Sequence, residues 1–161
     1  MKYIFLLTLS ISLIACNNHN KDYEALKGKV DSLENKLADA YKPGFGELMT
    51  SVQAHHAKLW FAGKNQNWKL ADFEIHEINE VLENIKKYQS ERKESKSIDM
   101  ITPAIDSVKT AVKNKNLQYF NKSYISLTDA CNRCHKLTDF EFNIVKIPDK
   151  QSFSNQDFKI E

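Results

Sequence analysis

Apolar residues recur at steps of three and four along most of this chain, with polar residues filling the positions between. That period marks amphipathic α-helices, because residues three and four apart share one helix face. The first such stretch predicts a helix over residues 22–40, with Tyr23, Leu26, Val30, Leu33 and Leu37 as its apolar seam. The seam is a heptad pattern of fewer than three repeats, marginal as a coiled coil by itself. The expected arrangement is a stalk helix packed on the domain that follows, with a self-associating stalk, and so a homodimer, as the alternative. Tyr41-Lys42-Pro43-Gly44-Phe45-Gly46 then breaks the pattern with one proline and two glycines, and the domain boundary falls there.

Four more helical patterns follow. The first covers residues 47–62, with Leu48, Met49, Val52, His56, Leu59 and Trp60 on one side, Phe45 just ahead of them and Gly63 as the expected stop. Asn65 or Asn67 caps the second, in which Trp68, Ala71, Ile75, Ile78, Leu82 and Ile85 keep the 3-4 spacing of a bundle seam. Trp60 and Trp68 flank the turn and are expected to pack together. Residues 89–97 are polar and read as a loop. Thr102 caps the third helix, with Pro103 at its first position, where a missing N–H costs nothing, and Ile105, Val108 and Val112 along its face. Asn114 or Asn116 starts the fourth, whose stripe is Leu117, Phe120, Tyr124, Leu127, Cys131 and Cys134. Four amphipathic helices with short connections predict an all-α fold, an antiparallel four-helix bundle. Beyond His135 the period changes: Phe140, Phe142 and Ile144 alternate with Glu141 and Asn143, which predicts an extended segment laid against the bundle. Residues 149–161 are mostly polar and are expected to be loosely ordered. The domain thus spans 43–148.

The N-terminus has a different character. Met1-Lys2 precedes an uncharged, mostly apolar run from Tyr3 to Ala15, too short to span a bilayer and right for a signal-peptide core. Leu13-Ile14-Ala15-Cys16 resembles the lipobox of bacterial lipoproteins, in which the cysteine is diacylated and becomes the mature N-terminus. Residues 1–15 are then a signal peptide and residues 16–42 a tether and stalk, with Asn17-Asn18-His19-Asn20 as polar spacer. Acyl chains on Cys16 contribute about 0.8 kcal/mol per buried methylene, so several together hold a small domain at a membrane. The expected location is the periplasmic side of a bacterial membrane.

Composition narrows the function. Lys and Arg number 23 against 21 Asp and Glu, and no basic cluster interleaves with aromatics, so nucleic acid is not an expected partner. No nucleophile–base pair, phosphate loop or catalytic carboxylate pair stands out, and the chain does not read as an enzyme. Lys109, Lys113, Lys115, Lys122, Arg133 and Lys136 are expected to make the C-terminal end of the domain basic. Such runs are ordinarily solvated faces, with docking to an acidic redox partner as the functional alternative.

With Cys16 assigned to lipid, Cys131 and Cys134 remain as a pair, followed at once by His135. C-x-x-C-H is the haem c attachment sequence. On a helix the two thiols share a face at i and i+3, the spacing that reaches two vinyl groups on one porphyrin edge, and the histidine supplies the iron's fifth ligand. A surface disulfide and half of a zinc site are the competing readings. Zinc needs about four ligands, and there is no second cysteine pair.

A C-x-x-C-H on the last helix of a four-helix bundle resembles the class II c-type cytochromes, the cytochromes c prime and their low-spin relatives, over residues 41–148. One departure is the sequence after His135, where the family usually continues the helix and this chain turns strand-like. In the low-spin members the resemblance implies a methionine early in the first bundle helix as sixth ligand, and Met49 stands in that place. By itself a methionine on an apolar helical face is core filler. His56 lies two turns along the same face and is the rival ligand, its plainer role being a hydrogen-bonded, partly buried histidine. His55 lies off the stripe and is expected to face solvent. His76, with Asp72 and Glu80 one turn to either side, reads as a solvated ion-pairing face. The implied function is a membrane-tethered, single-haem electron carrier that serves a redox partner protein. The alternatives are a five-coordinate gas-binding or gas-sensing haem protein of the cytochrome c prime type, and a helical accessory subunit in which haem is peripheral.

Overall fold

The computed structural model describes residues 20–37, 40 and 42–160. The signal-peptide run, Cys16 and the spacer through His19 lie outside the described residues. The chain divides between Lys42 and Pro43 into two units. In the first, residues 20–37 are helical, and Tyr23, Leu26, Val30, Leu33 and Leu37 are all exposed.

The second unit is built from α1 (Phe45–Lys64), α2 (Trp68–Tyr88), a short α3 (Lys93–Ser97), a 3-10 turn (Ile98–Ile101), α4 (Thr102–Lys113) and α5 (Leu117–Leu137). The fold is all-α: no strand occurs among the described residues. No helix among them is long and apolar enough to cross a membrane. α1 packs on α2 and α4 on α5, while lighter contacts join α2 to α4 and α5 to α1. The predicted stripes meet in one core, with Leu59, Ile85, Val108 and Phe120 each fully buried.

Two turns of the same design join these helices. Asn65-Gln66-Asn67 and Asn114-Lys115-Asn116 each place the middle residue in the left-handed region, at φ 57° and 51°. In both, the middle N–H donates to a carbonyl three residues back and the next N–H to one five back, as Gln66 to Gly63 and Asn67 to Ala62. This closes the orphan carbonyls of the preceding helix. The last Asn then caps the next helix, Asn67 accepting from Leu70 N and Asn116 from Tyr119 N. Gly63, expected to stop α1, does something else. It is buried inside the helix, where a Cβ would overlap the Phe120 ring. The stop lies three residues later, at Gln66. Trp60 and Trp68 likewise meet through Phe120, each with its ring centroid 6.2 Å from that ring.

Three other expectations change. The polar stretch 89–97 carries α3, with Glu94 and Ser95 buried. The segment after α5 is irregular: Asn143 N donates to the Phe140 carbonyl, closing a turn, and Phe142 and Ile144 are exposed. The C-terminal stretch is tied down by Phe158, which is 2% exposed and 5.6 Å from the Phe61 ring. A single aromatic reaching the core outweighs the polar composition around it.

His55 is not solvent-facing either. Its Nδ1 lies 2.7 Å from Glu74 Oε2, and Glu74 is 1% exposed, with Oε1 lacking a partner. His55 is three residues from Val52 and four from Leu59; Glu74 is three from Ala71 and four from Ile78. Both therefore sit inside the 3-4 seam where α1 meets α2.

Urea unfolding at pH 7 checks the turn and Gly63 assignments together. Gly63→Ala is expected to lose about 1–3 kcal/mol through overpacking, whereas Gln66→Gly should gain up to about 1 kcal/mol by relieving the left-handed strain. A Gly63→Ala protein as stable as wild type would contradict the close approach of Phe120.

Candidate functional site

α5 carries three reactive side chains to its C-terminal end. Cys131 and Cys134 lie one turn apart, are not bonded to each other, and border the same cleft, with Cys134 buried. Burial pushes the Cys131 thiol up to about 11, and the neighbouring Cys134 adds to the shift. Cys134 is raised as well, by burial and then by the Glu94 carboxylate. At neutral pH both are thiols and not thiolates.

The helix ends at Leu137, two residues after His135. Thr138 N donates to the Cys134 and His135 carbonyls, Asp139 takes φ 67°, and Phe140 N donates to the His135 carbonyl at 2.8 Å. That left-handed cap turns the chain back along the helix. The returning segment is then held from the motif itself. Asn132 Nδ2 donates to the Val145 carbonyl, and Val145 N donates to Asn132 Oδ1, each at 2.8 Å. His135 Nδ1 lies 2.6 Å from the Asn143 carbonyl oxygen. A carbonyl only accepts, so Nδ1 carries the proton and Nε2 keeps its lone pair. This second-sphere bond is the one that fixes ring orientation and tautomer in a metal-binding histidine.

The cleft has a volume of about 230 Å³. Phe45, Met49, Val52 and His56 face it from α1 and Leu82 from α2. Glu94, Ile98 and Ile101 face it from the α3 region, and Phe140, Asn143 and Val145 from the returning segment. Its walls are mostly apolar, with few polar groups converging, as in cofactor sites generally. Burial opposes ionisation of Glu94, but hydrogen bonds from Arg92 and its own backbone amide, with the charges of Arg92 and Lys93, hold its carboxyl below the usual range. Arg92 in turn lies over the Phe45 ring, 4.5 Å from its centroid.

Met49 and His56 both line this cleft, as the sequence places them, but their states differ. Met49 is half-buried and packs against the core, and its thioether takes part in no hydrogen bond among the described residues. His56 is 4% exposed and stacks on Tyr124 at 4.6 Å. Its Nε2 is 3.0 Å from Thr128 Oγ1, and its Nδ1 is 3.0 Å from the Tyr124 hydroxyl. Thr128 Oγ1 donates to the Tyr124 carbonyl and the Tyr124 hydroxyl donates to the His56 carbonyl, so each hydroxyl is placed to accept from a ring N–H, of which the neutral imidazole has one. Both ring nitrogens thus lie within hydrogen-bond distance of a buried hydroxyl. Burial lowers the His56 pKa from 6.5 to about 4.

His76, Glu77 and Glu80 bring their ligand atoms within 4.8 Å of one another on α2, and this is the only such grouping of three among the described residues. His76 and Glu80 are exposed, and among the described residues no such grouping includes Cys131 or Cys134. The basic residues do not gather at one end. Lys115 precedes α5 and Lys136 lies in its last turn, about 30 Å apart along a helix of that length. Asn132, Asn143 and Glu94 are the site residues that the sequence pattern missed. The alternation after His135 signalled a segment beside the helix, but nothing in it identified Asn132 as the anchor. No family model, curated protein or solved structure matches this chain.

Two measurements check this geometry. Asn132→Ala removes both clamps, and exchange of the Val145 amide should accelerate about tenfold for a lost bond of roughly 1.4 kcal/mol; unchanged exchange would mean that the segment is held elsewhere. His56 binds a proton more readily unfolded (near 6.5) than folded (near 4). Its contribution is therefore intact above pH 6.5 and is lost as pH falls toward 4. Wild type should lose about 3 kcal/mol more than His56→Gln between pH 7 and pH 4, and parallel losses in the two proteins would contradict a buried neutral imidazole.

Proposed function

We propose that this protein is a membrane-tethered monohaem c-type cytochrome that carries single electrons to or from a redox partner protein. The observation that carries the reading is the commitment of His135 Nδ1 to the Asn143 carbonyl, which leaves Nε2 as an open donor beside two unpaired thiols. These residues fit the group that C-x-x-C-H implies: Cys131 and Cys134 hold haem c covalently, and His135 is its proximal ligand. When bound, the haem supplies a one-electron iron couple. The protein supplies attachment, a fixed imidazole and apolar walls that keep water from the site.

The domain is read as an antiparallel four-helix bundle of the class II cytochrome kind. Supporting this are the three-residue turns joining α1 to α2 and α4 to α5, and the closed round of contacts α1–α2–α4–α5–α1. Met49 is the distal ligand in this reading. His56 is disfavoured because ligation would break hydrogen bonds in a buried network, and each buried group left unsatisfied costs about 1–3 kcal/mol. Paired His and Met ligands keep one coordination sphere in both oxidation states, so little reorganises on transfer, and the thioether raises the potential. Diacylated Cys16 places the domain on the periplasmic side of a bacterial membrane, as the lipobox-like sequence suggests.

Absorption spectra of wild type and Met49→Ala test the reading. Wild type should be low-spin in both oxidation states, show the weak sulfur-to-iron charge-transfer band when ferric, and resist carbon monoxide. Met49→Ala should turn high-spin, fall in potential and bind carbon monoxide rapidly. A wild type that is already high-spin and binds carbon monoxide at once makes Met49 packing and the protein a gas binder. A low-spin spectrum lost in His56→Ala but kept in Met49→Ala makes histidine the sixth ligand.

A further inference from the structure

The first unit presents a feature that haem chemistry does not use. Residues 20–37 form a helix whose Tyr23, Leu26, Val30, Leu33 and Leu37 are 63, 62, 44, 64 and 70% exposed. An isolated helix of this length is marginal in water and ordinarily gains its stability by burying one face. The spacing is that of alternating a and d positions, with Tyr23, Val30 and Leu37 at a and Leu26 and Leu33 at d. In a parallel arrangement, Val30 at a with Leu26 and Leu33 at d favours two strands.

The flanking charges select the partner. Asp22 and Lys29 occupy g positions, and Lys27 and Glu34 occupy e positions. In a parallel pair each g residue faces the e residue five positions on in the other chain. Asp22 then meets Lys27, Lys29 meets Glu34, and the two-fold axis repeats both contacts. The antiparallel register that buries Tyr23, Leu26, Val30 and Leu33 instead sets Lys29 across from Lys29 and Lys27 across from Lys27, repulsions that offset its attractive Asp22–Lys36 pairs. Pairs of this kind contribute little individually but decide orientation and partner. A lipid surface fits the helix less well. Its four lysines are matched by four carboxylates, whereas interfacial helices are rich in Lys and Arg on the polar face.

We propose that residues 22–37 pair with the same segment of a second copy as a parallel two-stranded coiled coil, so that the protein is a dimer joined through its stalk. Gly28, at the outward f position, tolerates the pairing because nothing packs on it.

Sedimentation equilibrium of the full exported chain in detergent, with four variants, tests the proposal. Wild type should be a dimer, and Leu26→Asp with Leu33→Asp a monomer with an unchanged haem spectrum. Lys29→Glu sets like charges opposite each other and should weaken association several-fold, and adding Glu34→Lys should restore it. These two positions lie five apart in one chain, so repair within a helix does not explain a rescue. Tyr23→Cys should cross-link to itself on oxidation beyond the wild-type background. A wild-type monomer at tens of micromolar overturns the proposal, as does a dimer indifferent to the Asp substitutions. Failure of Glu34→Lys to rescue overturns the parallel arrangement. A seam that binds neutral or anionic vesicles while the protein stays monomeric assigns the helix to the membrane surface instead. The haem reading survives each of these failures, because its spectrum is read separately.

Discussion

An imidazole next to a pair of thiols is chemically ambiguous until one of its nitrogens is committed. In this protein the commitment comes from the Asn143 carbonyl, 2.6 Å from His135 Nδ1. That carbonyl is eight residues further along the chain and reaches the ring only because the helix stops at Leu137 and reverses. The left-handed Asp139 makes the reversal, and the two Asn132–Val145 hydrogen bonds hold the returning segment in place. One asparagine inside the motif thus sets the tautomer of the histidine that closes it, through a backbone it pins. The bond also gives the segment after α5 a role. Backbone groups of Asn143 and Val145 pair with α5, while Phe142 and Ile144 are exposed, Ile144 at the edge of the cleft.

The opposite wall of the cleft depends on a separate network. His56, Tyr124 and Thr128 form one buried network across α1 and α5, in which the Tyr124 hydroxyl donates to the His56 carbonyl oxygen at 2.7 Å and Thr128 to the Tyr124 carbonyl. These bonds lock a neutral histidine into a wall that Met49 and Val52 complete. A histidine so engaged contributes packing and a fixed position. Met49 packs against the core beside it with a soft, adaptable thioether that joins no hydrogen bond among the described residues.

Helix existence and apolar faces were legible in the sequence, because a 3-4 period repeated over many turns admits few alternatives. The reactive trio at the end of α5 was legible for the same reason, since spacing alone puts two thiols on one face. Local chemistry was harder to read. Gly63 resembles a helix stop, yet a tertiary contact with Phe120 explains it, and the true stop uses Gln66, a residue with no preference for positive φ. His55 was expected to face solvent, although it falls at seam spacing, and only the facing helix shows that it pairs with Glu74. Phe158 lies in a polar tail whose composition suggested disorder. Glu94 sits in a charged stretch without periodicity, and its burial depends on Arg92 and the cleft. In each case the deciding partner is distant in the chain, where neither periodicity nor propensity carries information.

The proposed function requires a covalent bond between this chain and a porphyrin, and the mass of the denatured protein tests for that bond directly. The chain should be exported from cells with an active haem c maturation system, denatured in acid and analysed beside a known c-type cytochrome. One haem per chain should remain attached, and Cys131→Ser with Cys134→Ser should lose it. A polypeptide mass without haem, with two free thiols at Cys131 and Cys134 while the control keeps its haem, would contradict the account at its centre.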